Sequence, residues 1–154
     1  MDAQTARSWM ESDDPGLHHA AFHTLLEHPE QVADMPTGER IALVNRFLEG
    51  ALQGRYSTHL ADGPFVFGHT AAGWLRTLAR SQDPAERKGA ADVVRMLERV
   101  AGSGGDQARE VLLLGVLEHV LNDPAVRDLL GSWREDPSLA PLYEEGLRLA
   151  GADD

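Results

Sequence analysis

The side chains best suited to metal chemistry are histidines near the N-terminus. His19 and His23 are four residues apart, and Glu27 follows four residues later, so on a helix all three share one face. Two imidazoles at this spacing, together with a carboxylate, can bind zinc. No HExxH pattern supplies a general base, and paired histidines at this spacing also arise by chance. A small helical metalloprotein is therefore kept as an alternative, and the leading expectation includes no cofactor.

Other candidate catalytic groups lack a second group at a meaningful spacing. Glu118 and His119 follow an apolar run, and a buried Glu118 would need an ion pair. The expected partner is one of three arginines, Arg76, Arg95 or Arg127. The glycine-rich segment 102–105 lacks the Lys-Ser/Thr end of a P-loop, so it predicts a connection between helices. A single carboxylate is not a mechanism, and the sequence favours a protein that is not an enzyme.

Acidic residues are concentrated near the two ends of the chain. The formal charge is −11, from 25 acidic and 14 basic residues. Residues 1–40 carry −6 and residues 121–154 carry −5, whereas 41–80 carry +2 and 81–120 carry −2. If the two ends lie together, they form one acidic face that speeds the association of a basic protein partner; a solubilising surface is the alternative. The candidate residues are Asp13, Asp14, Glu30, Asp34, Glu135, Asp136, Glu144 and Glu145.

The tryptophans offer a candidate anchor for such a partner. Trp9 stands on a short polar segment, and tryptophan is enriched where interfaces bury most of their energy. The alternative is that Trp9 packs back onto the body of the protein. Trp74 and Trp133 fall on apolar helix faces and are expected in the core. The segment 56–67 predicts either an exposed apolar loop or a buried lid.

Helices must position these residues, because alternating strand patterns are almost absent. The dipeptide Asp-Pro recurs four times, and it marks helix starts because Asp caps the first turn and Pro fits the first helical position. Together with the apolar periodicity, it predicts helices over 3–11, 15–27, 38–53, 64–80, 84–100, 106–121, 124–134 and 137–150.

The helix predicted over 106–121 is the most informative, because its middle turns are apolar on every side. Such a helix must be surrounded by protein. The pattern therefore predicts an all-α fold, a compact irregular bundle of about seven to eight helices around this one. The Asp-Pro starts at Asp83 and Asp123 also fit repeats of the HEAT type, but the residues between them do not repeat. A length of 154 residues favours a single domain, 1–154.

Composition excludes several other classes. There is no cysteine, which excludes disulfide scaffolds and thiolate sites. The negative charge argues against nucleic acid as a partner. The N-terminus lacks the features of a signal peptide, and the apolar run is too short to span a membrane. We therefore expect a cytoplasmic protein without a membrane partner.

Two segments resemble a known group of proteins. Residues 110–119 read Glu-Val-Leu-Leu-Leu-Gly-Val-Leu-Glu-His, and residues 129–133 read Leu-Leu-Gly-Ser-Trp. Over about residues 65–148 the chain is similar to small acidic all-helical bacterial proteins on the immunity side of polymorphic toxin systems. The resemblance implies a non-catalytic protein that binds and blocks one cognate toxin, for which a basic nuclease would suit an acidic face. A regulatory module that homodimerises through an exposed apolar patch is a further alternative.

Overall fold

The computed structural model describes residues 1–103 and 105–152, and this part of the chain is mostly helical and contains no β-strand. The predicted all-α class is therefore confirmed. The α-helices are α1 (Ala3–Glu11), α2 (Pro15–Glu27), α3 (Thr37–Leu52), α4 (Pro64–Ala79), α5 (Pro84–Ser103), α6 (Gly105–Glu110), α7 (Glu118–Val120), α8 (Pro124–Leu129) and α9 (Ala140–Ala150). The other helical segments are two 3-10 turns, Pro29–Val32 and Gly131–Glu135, and a π-helical segment, Val111–Leu117.

Three of the four Asp-Pro pairs begin helices as predicted. In each, the aspartate Oδ1 accepts a hydrogen bond from the backbone N–H two residues later, at 2.8 to 3.0 Å. The capping residues are Asp14, Asp83 and Asp123. Asp136 differs, because its carboxylate accepts from both the backbone N–H and the hydroxyl of Ser138, at 2.9 Å each. The last helix begins at Ala140 and not at 137 as predicted. Pro141 has no N–H to donate to the carbonyl of Pro137, so the helix can include Pro141 only in its first turn.

Other helix ends differ from the predictions by a few residues. α5 continues through Ser103, past the predicted end at 100, and α6 begins at Gly105 with a φ of +64°. The predicted connection 102–105 is therefore shorter than expected, and its Gly104 lies outside the described residues. The helix predicted over 124–134 ends at Leu129 because the chain tightens into the second 3-10 turn.

The predicted helix over 106–121 is not a regular α-helix. Between α6 and α7 the backbone widens into the π-helical segment, and the Glu118 N–H donates to the carbonyl of Leu113, five residues back. Most of the apolar run is buried, namely Val111, Leu112, Gly115, Val116 and Leu117, while Leu113 and Leu114 are half-buried. The apolar run therefore lies at the centre of the packing, as its composition predicts, but its backbone is π-helical and not α-helical.

Packing is organised around this π-helical segment. α4 lies along it, and α7 and α9 contact it as well. On the other side of α4, the helices α3 and α5 pack together, α2 contacts α3, and α1 contacts α2. One hydrophobic cluster extends from Ala3 in α1 to Leu147 in α9. Within the described ranges, no helix is both long and apolar enough to cross a bilayer.

Glycines allow two helices to approach the π-helical segment closely. A Cβ on Gly68 of α4 would lie 3.0 Å from the Cα of Gly115. A Cβ on Gly146 of α9 would lie 2.9 Å from the Cβ of Leu117. Side chains at these positions would push the elements apart, so the close packing depends on glycine.

The connection from α3 into α4 is partly buried and partly exposed. Tyr56 is half-buried and stacks on the Phe47 ring, with centroids 4.7 Å apart. Phe67 is 3% exposed, but Phe65 and Val66 at the start of α4 are 39% and 47% exposed. The segment therefore combines the two predicted possibilities: its ends pack inward while an apolar pair faces solvent.

Candidate functional site

Four of the predicted partner-binding carboxylates lie on neighbouring elements near the N-terminus. Asp13 and Asp14 stand between α1 and α2, Glu30 is in the first 3-10 turn, and Asp34 follows that turn. α1, α2 and the turn contact one another, and all four side chains are exposed. These four residues are called the N-terminal acidic surface below.

An ion pair fixes the helix that borders this surface. Arg7 of α1 donates from Nε and Nη2 to the two carboxylate oxygens of Glu39 in α3, at 2.7 and 2.8 Å. These bonds raise the pKa of Arg7, and the nearby negative charge of Asp34 raises it further. The same bonds lower the pKa of Glu39. A bidentate pair of this kind restrains geometry as well as charge, so α1 is held in one orientation on α3.

Two carboxylates of the N-terminal acidic surface, those of Asp14 and Glu30, each have one contact with a nearby residue. Oδ1 of Asp14 caps α2, and Oε1 of Glu30 lies 3.4 Å from Nδ1 of His28. The Glu30 side chain is 69% exposed. Each carboxylate can accept about four hydrogen bonds, so both retain acceptor capacity toward solvent or a partner.

The remaining four candidates form a C-terminal acidic surface, defined by Glu135, Asp136, Glu144 and Glu145. They lie on or beside the second 3-10 turn and α9, which contact each other. The backbone N–H of Ser138 lowers the pKa of Asp136 by hydrogen bonding, and its hydroxyl adds to this effect. The Arg148 guanidinium lowers the pKa of Glu145 in the same way. Two of these four carboxylates are thus already engaged within the fold.

The structure divides the predicted single acidic face into two surfaces. α2, which borders the N-terminal acidic surface, packs on α3, whereas the elements of the C-terminal acidic surface pack on the π-helical segment, α7 and α8. The principal packing between the two passes through α3 and then α4 or α5. The described parts of the two ends thus pack on different helices, which charge counting along a sequence does not reveal.

The structure does not bring the three predicted metal ligands together. The His19 ring stacks on Phe47, with centroids 5.9 Å apart. His23 is exposed and lies 5.5 Å from the ring of His28, and Glu27 is exposed. Within 1–103 and 105–152, no three His, Asp or Glu side chains are grouped so that they could hold a metal ion. Helical spacing predicts His19 on the metal-binding face, but its half-buried ring packs against the aromatic rings of the core instead.

The tryptophans are buried to different extents. Trp74 is 5% exposed and Trp133 is 1% exposed, as expected for core residues. The Nε1 of Trp74 donates to Oδ1 of the buried Asn45 at 3.1 Å. Trp9 is half-buried and packs against the hydrophobic cluster. Trp9 thus packs onto the body while part of it remains accessible.

Among the residues that the structure describes, the most deeply buried carboxylate is not the one expected from sequence. Glu118 is half-buried, and two of its three expected partners bind elsewhere, Arg95 to Asp92 and Arg76 to Asp123. The side chain of Asp123 is 3% exposed, and its Oδ2 lies 2.9 Å from Nε of Arg80 and 3.6 Å from Nε of Arg76. The Asp-Pro dipeptide predicts that Asp123 caps a helix, but no neighbouring residue in the sequence indicates that Asp123 pairs with Arg76 and Arg80 of α4.

Comparisons of the chain with protein-family models, with curated proteins and with solved structures found no match.

Proposed function

We propose that this protein is a binding module that inhibits a basic partner protein, in the manner of an immunity protein, and that the N-terminal acidic surface is its contact. The observation that carries the proposal is the grouping of four exposed carboxylates in or beside three elements that contact one another. Opposite charge on a partner would be attracted to this region, and association would be accelerated.

Trp9 supplies the apolar part of the proposed contact. It lies on α1, beside Asp13 and Asp14 in the chain, and it is half-buried. Interfaces combine an apolar centre, often aromatic, with a polar rim. In this arrangement the partly accessible ring contacts the partner and the carboxylates surround it. Inhibition follows because an acidic surface held over a basic active site excludes its substrate.

Two matched charge variants test the proposal. The first neutralises the N-terminal acidic surface (Asp13→Asn, Asp14→Asn, Glu30→Gln, Asp34→Asn), and the second neutralises the C-terminal acidic surface (Glu135→Gln, Asp136→Asn, Glu144→Gln, Glu145→Gln). Each removes four negative charges, and asparagine retains an oxygen for the caps at positions 14 and 136. The binding probe is a basic nuclease domain of a polymorphic toxin, and association rates are measured at low and high salt.

We expect the first variant to associate about tenfold more slowly at low salt, and the second to associate like the wild type. High salt should remove most of the difference, because it screens exposed charges. An equal loss in both variants would show only a net-charge effect. A wild-type association rate that does not change with salt would overturn electrostatic recognition.

A further inference from the structure

An arginine-lined cavity lies on the face formed by α3 and α5. Its volume is about 470 Å³, within the usual range of small-molecule sites. The guanidinium groups come from α3, from the connection after α3 and from α5, and they belong to Arg46, Arg55, Arg95 and Arg99. This concentration of positive charge is unusual in a chain whose formal charge is −11.

Two carboxylates in the lining hold the α5 arginines in place. Arg99 donates from Nε and Nη2 to Oε1 of Glu49, both at 2.8 Å. Arg95 donates to Asp92, three residues before it on α5. Each guanidinium has five N–H donors, so these bonds position the arginines and leave other donors available. Four cations against Glu49 and Asp92 leave the lining with a net charge of +2.

Arg46 and Arg55 also have a single polar side-chain partner each. Arg46 contacts Glu11 at 3.3 Å, and Arg55 donates to Oε1 of Gln53 at 2.7 Å. The Arg46 side chain is 55% exposed. Both therefore reach the cavity with donors to spare.

The cavity has a polar floor and an adjoining extension. Asn45 lines it, and because the Asn45 Oδ1 accepts from Trp74, the donor end of that amide remains for a ligand. A second cavity of about 260 Å³ shares Arg46 and Arg55 and adds His18, Tyr56 and His59. The two cavities together are called the arginine groove.

We propose that the arginine groove binds a small ligand carrying two or more phosphate groups. Guanidinium groups match phosphate oxygens in paired hydrogen bonds. Four guanidiniums arranged around one cavity, with a net positive lining, suit a ligand of several negative charges better than a single carboxylate. The extension includes Met10 and Pro15 and therefore adjoins the N-terminal acidic surface, but none of the four carboxylates of that surface lines the groove. The proposed ligand site thus uses different side chains from the proposed inhibitor contact.

Titration calorimetry with inorganic pyrophosphate tests the proposal. We expect one saturable site in the wild-type protein and weaker binding of orthophosphate. Arg55→Gln and Arg95→Gln should each weaken pyrophosphate binding about tenfold, the loss typical of a charge-assisted hydrogen bond. Arg87→Gln, at an exposed position of α5 outside the cavity lining, is the matched control and should bind within about twofold of the wild type.

Three results would overturn the proposal: no saturable pyrophosphate binding to the wild type, equal losses in Arg87→Gln and the two groove variants, or orthophosphate binding as tight as that of pyrophosphate. Thermal denaturation of each variant verifies folding, and the comparison of the two anions uses the wild type alone. ADP measured in parallel distinguishes ligand sources. Tighter binding of ADP indicates a nucleotide with its base in the Tyr56 extension, and equal binding indicates recognition of the phosphates alone.

Discussion

At the scale of single residues, Asp123 joins local and tertiary structure. Its Oδ1 caps α8 by accepting from the Ala125 N–H at 3.0 Å. Its Oδ2 is buried and accepts no aligned hydrogen bond among the described residues, although Arg80 and Arg76 approach it as charges. One carboxylate thus starts a helix and connects it electrostatically to α4.

We predict that Asp123→Ala lowers the free energy of unfolding by about 2–4 kcal/mol, because it removes a helix cap and a buried charge partner. Asp123→Asn keeps a capping oxygen and loses only the charge, so it should cost less. Urea denaturation measures both. An alanine variant as stable as the wild type would contradict the anchoring role.

The pair Arg7–Glu39 predicts a pH dependence of stability. Because hydrogen bonding to Arg7 lowers the pKa of Glu39 from 4.5, the pair stabilises the fold above the unfolded-state pKa, and this stability is lost as pH falls through the folded-state pKa. Arg7→Gln should therefore lower the melting temperature at neutral pH, and the difference from the wild type should shrink in acid. Arg87→Gln controls for loss of an exposed positive charge. A difference that stays constant down to about pH 3 would contradict this linkage.

At the scale of elements, α4 carries two glycines on different faces, and only one of them faces the π-helical segment. Gly68 faces the backbone of Gly115, which cannot move aside as a flexible side chain can. Gly73, one and a half turns later, has open space where its Cβ would be. The same helix therefore carries one glycine required by packing and one that is not.

We predict opposite effects of alanine at these two positions. Gly68→Ala should destabilise the protein by about 1–3 kcal/mol, because the added methyl group overpacks a backbone contact. Gly73→Ala should stabilise it by about 0.5–1 kcal/mol, because alanine favours helix and restricts the unfolded chain. Chemical denaturation compares the two. Equal effects would contradict the assigned contact.

The segments 110–119 and 129–133, on which the proposed similarity to immunity proteins rests, contribute mainly to this packing. The π-helical segment is largely buried, and Leu130 and Trp133 are 0% and 1% exposed. Their pattern is therefore one of core packing, and the proposed partner contact lies elsewhere, on exposed residues. Similarity in these segments bears more directly on fold than on partner choice.

At the scale of the whole molecule, the acidic residues form two surfaces, and the arginine groove extends to Met10 and Pro15 beside the N-terminal one. Trp9 reports on the N-terminal acidic surface, since it is half-buried on α1 while Trp74 and Trp133 are in the core. We predict that cationic caesium quenches the accessible tryptophan fluorescence more than anionic iodide, because the local charge attracts one and repels the other.

Trp9→Phe should remove most of this quenching, and neutralising the N-terminal acidic surface should reduce the difference between caesium and iodide. The variant with a neutralised C-terminal acidic surface provides the control. Equal quenching by the two ions in the wild-type protein would contradict the placement of negative charge near Trp9.

The sequence by itself determined the elements. Asp-Pro capping and apolar periodicity depend on residues within a turn or two of each other, so the helix starts at Pro15, Pro84 and Pro124 and the burial of the apolar run are predictable. The last helix begins at Ala140 and not at 137, because Pro141 lacks the N–H that a helix from 137 needs for a bond to the carbonyl of Pro137.

Only the tertiary structure decided how these elements present charge. The separation of the two acidic surfaces, the pairing of Asp123 with α4, the packing of His19 against core aromatic rings and the convergence of four arginines all join residues far apart in the chain. Their types are visible in the sequence, but their distances are set by how helices pack, and packing depends on shape complementarity across the whole core. A glycine contact such as Gly68 with Gly115 is therefore invisible until the two helices are placed together.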